Sequence, residues 1–510
     1  MAQFTFSPLT PSSFLRRSGQ VFPDRIAVVD GPERFTYARL LDRSRRLTGA
    51  LAGLGVEPGD RVAALCVNSH VMLELHHGVP MRGAVLVPLN IRLSAGELAH
   101  IVDHSGARVL VASAELADRA GEVAAATGAR LVLAGDEYEK LLDGAEPREV
   151  GCAEERGLLA INYTSGTTGL PKGVMYHHRG AYLQALAMAL HAGLGPASAY
   201  LWTLPMFHCD GWCFTWAVTA AGGTHICLRA VDPAEIWRLL REEDVTHFSG
   251  APTVLTMIAN APGARPLDRL VRVQTGGAPP TPTLLARMAG LGMEVTHLYG
   301  LTETFGPIAV NQWQPQWDSL SAGEQAELKA RQGVGNVIAD DLRVVDPEGR
   351  DVPADGQTIG EIVVRGNDVM LGYYRDERAT GEAALGDRLR TGDLAVRHPD
   401  GYVEIRDRSK DIIISGGENI ASVEVERVID SHPAVLESAV VGVPDEKWGQ
   451  VPVAFVSLRE DAGPVTAEAI IEHVRERLAH FKAPHRVTFQ ELPKTSTGKI
   501  QKNVLRDAAH

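Results

Sequence analysis

The sequence has little cysteine, no long apolar run and a deficit of basic charge. Five cysteines among 510 residues, an odd and sparse number, do not form a disulfide framework and are typical of a reducing compartment. The sequence contains no stretch of about 18 apolar residues, the length that a helix needs to span a bilayer. With 50 Lys and Arg against 63 Asp and Glu, the net charge of −13 argues against nucleic acid or an anionic membrane as a partner.

The two ends of the sequence carry no targeting pattern. No cationic segment followed by an apolar run opens it, and its last residues, RDAAH, are not a peroxisomal tripeptide. We therefore expect a cytoplasmic protein.

What the sequence does contain is a long alternation of β-branched runs and amphipathic stretches. DRVAALCVNS and GAVLVPLN predict buried strands, and TYARLLDRSRRLTGALAGL predicts a helix. The alternation indicates an α/β fold with largely parallel sheets, in which ligands gather at the carboxyl ends of strands. From about residue 335, short runs with DPEG-type turns predict hairpins, and a tail of about 100 residues is enough for a small domain. We place the boundary in RDRSKD, with domains of residues 1–406 and 407–510.

The stretch YTSGTTGLPKGV, which begins at Tyr163, is rich in glycine and hydroxyl side chains. It is not a Walker-type phosphate loop, because Pro171 precedes Lys172 and Gly173 follows it. Glycines still let backbone N–H groups approach an anion, and the hydroxyls and the lysine add donors and charge. Composition alone leaves two interpretations open, a phosphate cradle and an ordinary turn between secondary-structure elements.

The whole string is more specific than its composition. It resembles the phosphate-loop signature of the adenylate-forming superfamily, which includes acyl-CoA synthetases, peptide-synthetase adenylation domains and luciferases. Four more segments resemble that family's motifs in the same order: QTGGAPP, YGLTET, TGD and PKTSTGKIQK. The resemblance covers nearly the whole chain. It implies a large N-terminal domain of layered α/β sheets with a small β-barrel-like part, and a small mobile α+β C-terminal domain.

The resemblance also implies an ATP site. The implied ATP-binding residues are Thr164, Ser165, Gly166, Thr167, Thr168, Gly169, Lys172, Gly277, Ala278, Pro279, Tyr299, Gly300, Thr302, Asp393, Arg408 and Lys499. Of these, the stretch from Thr164 to Lys172 is implied to hold the β- and γ-phosphates, and Thr302 to contact the phosphates. Tyr299 is implied to stack on adenine and Asp393 to bind the ribose. Lys172 is also implied as a catalytic residue. Lys499 is implied as the catalytic lysine, which stabilises the charge between the carboxylate and the α-phosphate.

Glu303 is implied as the ligand of Mg²⁺, a hard cation that suits carboxylate and phosphate oxygens. Each of these residues also has an ordinary structural interpretation. Taken alone, Lys172 and Lys499 are solvated lysines, Glu303 is a glutamate at a helix start, and Asp393 is a turn residue. The motifs around them favour the functional interpretation.

The resemblance implies two half-reactions served by one site. The small domain would rotate about Asp407, so that Lys499 enters for adenylation and a tunnel for coenzyme A replaces it. Gly416 and Gly417 would line the pantetheine tunnel, and Trp448 would lie near the path of CoA. An ordinary hairpin turn is the alternative for the two glycines.

The segment LPMFHCDGWCFTWAVTAAGG resembles the fatty-acid and methylmercaptopropionate CoA ligase subgroup. His208 is implied as a catalytic gate, with Gly211, Trp212, Gly276 and Gly300 around the acyl pocket. We set aside a metal site at His208, Cys209, Asp210 and Cys213, because no second pair of ligands is evident. Aromatic residues in this region would shorten the pocket, which favours a short- or medium-chain fatty acid or a small aryl acid.

The sequence therefore predicts an AMP-forming acyl-CoA ligase that uses ATP, Mg²⁺ and coenzyme A on a small carboxylic acid. Two alternatives stay open: a ligase that loads a free-standing carrier protein, and a non-catalytic sensor of acyl nucleotides. Retention of Lys172, Glu303, Asp393, Arg408 and Lys499 argues against the sensor. A homodimer is left open as the assembly.

Overall fold

A computed structural model describes residues 6–152, 154–164, 171–408, 411–415, 418–445, 447–459, 462–495 and 498–509. The large N-terminal part contains the strands β1 (Ile26–Asp30), β2 (Glu33–Thr36), β3 (Arg61–Leu65), β4 (Val85–Pro88), β5 (Ala107–Ala112), β6 (Arg130–Leu133), β7 (Leu158–Thr164), β8 (Lys172–His177), β9 (Ala199–Leu201), β10 (Thr224–Ile226), β11 (His247–Gly250), β12 (Val271–Thr275), β13 (Met293–Leu301), β14 (Gly306–Val310), β15 (Val334–Gly335), β16 (Arg343–Val345), β17 (Gly360–Val364), β18 (Ala384–Leu385), β19 (Arg388–Arg397) and β20 (Val403–Arg408).

Helices connect these strands. They are α1 (Ser12–Val21), α2 (Tyr37–Gly53), α3 (His70–Met81), α4 (Ala95–Ser105), α5 (Ala117–Thr127), α6 (Asp136–Asp143), α7 (His178–Ala192), α8 (Cys209–Trp212), α9 (Phe214–Ala221), α10 (Pro233–Glu242), α11 (Pro252–Asn260), α12 (Pro282–Gly290), α13 (Ala322–Ala330) and α14 (Glu377–Glu382). No helix in the described ranges is long and apolar enough to cross a membrane.

Two mainly parallel sheets form the layers of this part. One has the order β6-β5-β3-β4-β7-β8, and the other β15-β14-β13-β12-β11-β9-β10-β1-β2. Strand β3 shows why its sequence is continuously apolar: Val62 and Ala64 pack into the core that holds α2, α3, α7 and α9, whereas Ala63 and Leu65 pack toward α4 and α5. A strand buried on both faces needs no polar alternation.

The hairpins predicted after residue 335 form a separate antiparallel sheet. Its order is β16-β17-β19-β18, with β20 added beside β19. The DPEG turn is present, since Asp346 and Arg350 pair across it. This five-stranded sheet corresponds to the part predicted as barrel-like.

The chain changes sheets after Arg408. The last part contains β21 (Ile413–Ser415), β22 (Glu418–Ile420), α15 (Ser422–Asp430), β23 (Val435–Asp445), β24 (Gly449–Leu458), α16 (Ala467–Arg475), β25 (Arg486–Phe489) and α17 (Lys502–Ala509). Its sheet has the order β22-β21-β24-β23, with β25 beside β24, and α15 and α16 cover one face through Val425, Ile429, Ile470 and Val474. The predicted α+β tail is confirmed, and the boundary at Asp407 stays a prediction.

Candidate active site

The glycine-rich stretch joins two antiparallel strands. Strand β7 ends at Thr164 and β8 begins at Lys172, and these two residues are paired across the hairpin. The predicted phosphate-binding residues Ser165, Gly166, Thr167, Thr168 and Gly169 lie outside the described residues. The hairpin therefore fixes the two ends of the predicted phosphate loop.

Tyr373 connects Lys172 to Glu303. The Lys172 ammonium lies 4.9 Å from the centre of the Tyr373 ring, and the Tyr373 hydroxyl donates a 2.8 Å hydrogen bond to Glu303 Oε1. The Glu303 backbone is held as well, because its carbonyl accepts from the N–H of Met370. No motif in the sequence points to Tyr373, because its contact with Lys172 joins positions about 200 residues apart in the chain.

Thr302 lies on a tightly held turn. The Tyr176 hydroxyl donates a 2.6 Å hydrogen bond to the Thr302 carbonyl, and the Tyr176 ring stacks on Phe305 with centroids 3.9 Å apart. Leu301 donates its N–H to the Thr304 hydroxyl. These contacts fix the backbone of the turn that carries Thr302 and Glu303, and a preformed turn lowers the cost of binding a ligand.

Tyr299, Asp393 and Arg408 form a polar group. The Tyr299 hydroxyl donates a 2.7 Å hydrogen bond to Asp393 Oδ2, and Arg408 Nε lies 3.3 Å from Asp393 Oδ1. Burial raises the pKa of Tyr299 well above its usual value, so its hydroxyl stays a donor. The strand register explains the contact between Arg408 and Asp393, because Asp393 on β19 is paired with Arg408 on β20. The structure brings these three predicted ATP residues together; adenine stacking by Tyr299 stays a prediction.

The other predicted nucleotide residues follow β12 and β13. Gly277 and Ala278 are exposed just beyond the end of β12, and Pro279 is half-buried. At Gly300 a Cβ would lie 1.8 Å from the carbonyl oxygen of Gly306, so only glycine fits where β13 meets β14.

The stretch from Cys209 to Cys213 is left-handed. Its five φ angles are 48°, 45°, 61°, 52° and 62°, and only Gly211 adopts such values without strain. Each other residue costs on the order of 1–2 kcal/mol in this conformation. The surroundings hold the turn, because Thr215 donates its hydroxyl to the Asp210 carbonyl and the Asp210 N–H donates to Asn162 Oδ1. No residue pattern in the sequence predicted this turn.

His208 and Trp212 occupy the two sides of this turn. His208 Nε2 lies 3.6 Å from Cys209 Sγ, which lies 3.6 Å from Thr302 Oγ1, so the predicted gate adjoins the predicted phosphate segment. Desolvation lowers the pKa of His208 to about 4, which leaves a neutral imidazole at pH 7. In the described part of the chain, no group of three or more His, Cys, Asp or Glu is placed to hold a metal ion.

Trp212 fills the space between two glycines. A Cβ at Gly276 would lie 3.0 Å from the indole, and one at Gly306 would lie 3.1 Å from it. A Cβ at Gly211 would lie 2.7 Å from Trp202, and Trp212 itself is only 7% exposed. The structure thus brings Gly211, Trp212 and Gly276, three of the residues predicted for the acyl pocket, close together.

The loop before α17 contacts the large N-terminal part. Lys499 and Thr495 pair through two hydrogen bonds, from Thr495 N to Lys499 O and from Lys499 N to Thr495 Oγ1. The Thr253 hydroxyl donates to the Gly498 carbonyl at 3.3 Å, and Arg92 donates to the Thr495 carbonyl at 3.4 Å. Sequence reasoning missed Thr253 and Arg92, because neither lies in a motif.

The residues predicted for CoA and the hinge lie at the start of the last sheet. Gly416 and Gly417 lie outside the described residues, but Ser415 beside them is paired with Gly449. Trp448 precedes Gly449 and is 44% exposed. Asp407 is buried, and its carboxylate accepts from the backbone N–H groups of Arg408 and Ser422.

Comparisons with known proteins agree with this arrangement. Residues 15–374 match the model of the AMP-binding enzyme family, and residues 424–499 match that of the AMP-binding enzyme C-terminal domain. An acetate/butyrate–CoA ligase of Arabidopsis thaliana, described as peroxisomal, is 45% identical over 99% of this chain and 95% of its own length. An acetate–CoA ligase of Humulus lupulus is 44% identical with the same coverage.

A solved structure shows the same overall fold. The crystal structure of ATP-bound MatB from Rhodopseudomonas palustris has a TM-score of 0.86 and 28% identity, and the match covers 98% of each chain. The chain therefore belongs to the AMP-binding enzyme family.

Proposed function

We propose that this protein is an ATP-dependent acyl-CoA ligase that activates a short-chain carboxylic acid. The acid would become an acyl adenylate with release of pyrophosphate, and coenzyme A would then take the acyl group and release AMP. The relatives that are named acetate– and acetate/butyrate–CoA ligases, which match nearly all of the chain, support the reaction class. The observation that carries the choice of acid is the close approach of the Trp212 indole to Gly276 and Gly306, at the predicted acyl pocket.

In the first half-reaction, a carboxylate oxygen of the acid attacks the α-phosphorus of ATP. The bond from that phosphorus to the oxygen bridging to the β-phosphate breaks, and pyrophosphate leaves. Two anions meet in this step, so positive charge and fixed donors must stabilise the transition state. Lys172 would hold the β- and γ-phosphates, and Lys499 would stabilise the charge at the α-phosphate. Asp393, oriented by Tyr299, would accept hydrogen bonds from the ribose hydroxyls.

In the second half-reaction, the sulfur of coenzyme A attacks the acyl carbon. The mixed anhydride breaks, and AMP leaves with the oxygen that came from the acid. Lys499 has no role in this step, which explains why the family resemblance implies a hinge at Asp407. Gly416, Gly417 and Trp448 would line the path of the thiol.

The residues present fit a Mg²⁺ ion that arrives with ATP. Glu303 offers a carboxylate oxygen beside the predicted phosphate loop, and no carboxylate-rich cage exists among the described residues. This cation usually keeps several waters and binds through one or two carboxylates plus substrate phosphates. Glu303 would hold the ion, which would neutralise phosphate charge when bound.

Trp212 sets the length of the acid. Its indole lies against the backbone of Gly276 and Gly306, so a chain longer than a few carbons would meet the ring. Pockets of this kind discriminate about 10- to 200-fold per methylene that fits or clashes. Acetate, propionate and butyrate are therefore the expected acids, and benzoate represents the small aryl alternative.

A release assay tests the proposal. AMP release is measured with ATP, Mg²⁺ and each of acetate, propionate, butyrate, hexanoate, octanoate and benzoate, with and without coenzyme A. CoA-dependent release with the two- to four-carbon acids is expected. Release that requires a phosphopantetheinylated carrier protein instead of CoA would favour carrier loading, and no release with any acid would favour a nucleotide sensor.

The cytoplasmic location and the homodimer stay predictions. The described cysteines are all unpaired, in keeping with the reducing compartment expected from their number. Cell fractionation and sedimentation would test the two predictions.

A further inference from the structure

Helix α17 begins at Lys502, three residues after Lys499, and the Lys502 side chain is largely buried. The ammonium of Lys502 donates a 2.6 Å hydrogen bond to Ser422 Oγ and lies 2.7 Å from Glu426 Oε1. The two side chains of this ion pair are only 16% and 14% exposed. Glu426 Oε1 also accepts the N–H of Val440 on β23, so the pair ties α17 to both α15 and the sheet.

Asp407, the predicted hinge residue, contacts the same residue of α15, Ser422. Ser422 is the first residue of α15, and its N–H donates to the carboxylate of Asp407. Lys502 and Asp407 therefore meet at Ser422, one through its side chain and the other through its backbone. Burial alone would lower the pKa of Lys502, but the carboxylates of Glu426 and Asp407 outweigh burial and raise that pKa, so the ammonium stays charged.

Ion pairs fix both ends of the loop that carries Lys499. Lys494 before the loop lies 2.7 Å from Glu437 on β23, and Lys502 after it lies 2.7 Å from Glu426. A second pair, Arg506 with Asp411 at 2.8 Å, holds the next turn of α17 to the segment just after the hinge. Of the two ends of the loop, only the one at Lys502 is linked by these contacts to the predicted hinge at Asp407.

We propose that Lys502 is a positioning residue that ties the Asp407 hinge to the loop of the catalytic Lys499. The inference rests on the ligase function proposed above. When the small part takes the arrangement seen here, with Gly498 against Thr253, the Lys502–Ser422–Asp407 contacts set where Lys499 enters. Because Lys499 would act in adenylation alone, loss of Lys502 should impair adenylation more than thioester formation.

The test compares Lys502→Met and Lys502→Arg with the wild-type enzyme in separate half-reactions. Adenylation is followed by butyrate-dependent exchange of labelled pyrophosphate into ATP, and the second step by butyryl-CoA formation from supplied butyryl-AMP. For Lys502→Met we expect exchange to fall at least tenfold and thioester formation to stay within about twofold. Lys502→Arg, which keeps the charge, should recover most of the exchange.

Two further variants separate positioning from folding. Lys482→Met removes another ion pair of α15, that of Lys482 with Glu424 at 2.6 Å, and should leave both half-reactions unchanged. Lys502→Met combined with Glu426→Gln removes both buried charges, which restores thermal stability if Lys502→Met alone has lowered it. The double variant should still show the selective loss of exchange.

Hinge exposure gives a readout that needs no acyl substrate. Limited trypsin digestion, with sequencing of the new N-termini, reports cleavage after Arg408 and Lys410, and this cleavage should be faster in Lys502→Met. Equal loss of both half-reactions, or wild-type exchange and cleavage in Lys502→Met, would overturn the inference. A wild-type enzyme with no exchange for any acid would instead refute the proposed function, and the digestion would then decide the link to the hinge.

Discussion

The hydroxyl of Thr253 donates a hydrogen bond to the carbonyl oxygen of Gly498, one residue before Lys499. Thr253 lies in the first turn of α11 in the large N-terminal part, whereas Gly498 belongs to the loop before α17. Together with Arg92 at Thr495, this contact seats the lysine loop on the large part. Under the proposed function, in which Lys499 acts in adenylation, this is the arrangement that the first half-reaction needs.

Gly498→Ala should block this docking. Gly498 has a φ of 82°, and a Cβ there would lie 2.3 Å from Thr253 Oγ1. We expect pyrophosphate exchange to fall at least tenfold, with thioester formation from acyl-AMP retained. Adding Thr253→Ala removes the clashing oxygen and should restore part of the exchange, though about 1 kcal/mol of backbone strain stays. If Thr253→Ala alone keeps most of the exchange, a double variant no better than Gly498→Ala would show that the clash is not the cause.

Trp212→Gly should lengthen the accepted acid. Removing the indole opens the space beside Gly276 and Gly306, so octanoate should gain in kcat/KM relative to butyrate by at least tenfold. The ratio is measured rather than the total activity, because loss of a buried tryptophan also costs about 3–5 kcal/mol of stability. Trp313→Gly, outside the pocket, is the matched control. An unchanged ratio in Trp212→Gly would place the acyl pocket elsewhere.

Tyr299→Phe should weaken the binding of ATP and leave the binding of the carboxylic acid unchanged. The variant removes the only side-chain donor to Asp393 Oδ2 found in the described residues and leaves the ring in place. A lost hydrogen bond to a charged group costs about 1.5–3 kcal/mol, so the KM for ATP should rise roughly tenfold or more. Tyr200→Phe, which removes a buried hydroxyl bonded to Ser249 at 2.8 Å, is the control. A rise in the KM for the acid alone would contradict the assignment of Asp393 to the ribose.

Sequence patterns predicted the elements better than the contacts between them. The unbroken apolar run at β3 predicts a strand buried on both faces, and the packing of Val62 and Ala63 in different cores agrees. Motifs likewise named Glu303 and Asp393. Tyr373, Thr253 and Arg92 could not be found in this way, since each reaches the site from a distant segment. The left-handed turn at Cys209–Cys213 also escaped prediction, because tertiary packing stabilises it against local preference.

Asp210 in that turn should make stability depend on pH. Both carboxylate oxygens are buried without a hydrogen-bond partner among the described residues, and desolvation raises the pKa of Asp210 from 3.8 to about 7. Between about pH 4 and 7 the folded protein keeps a proton that the unfolded chain has lost. The contribution of Asp210 to the free energy of unfolding therefore falls as pH rises through this window. Above about pH 7 the folded protein bears the full cost of a buried, ionised carboxylate.

Asp210→Asn removes this titration and keeps the shape of the side chain. The variant should be more stable than the wild-type enzyme at pH 8, by up to about 4 kcal/mol for a shift of this size, and the difference should shrink toward pH 5. Urea unfolding at pH 5, 6, 7 and 8 measures the difference in the free energy of unfolding between variant and wild type. Asp24→Asn, at an exposed position, is the control. A difference in unfolding free energy that is the same at all four pH values would mean that Asp210 is ionised in the folded protein throughout this range.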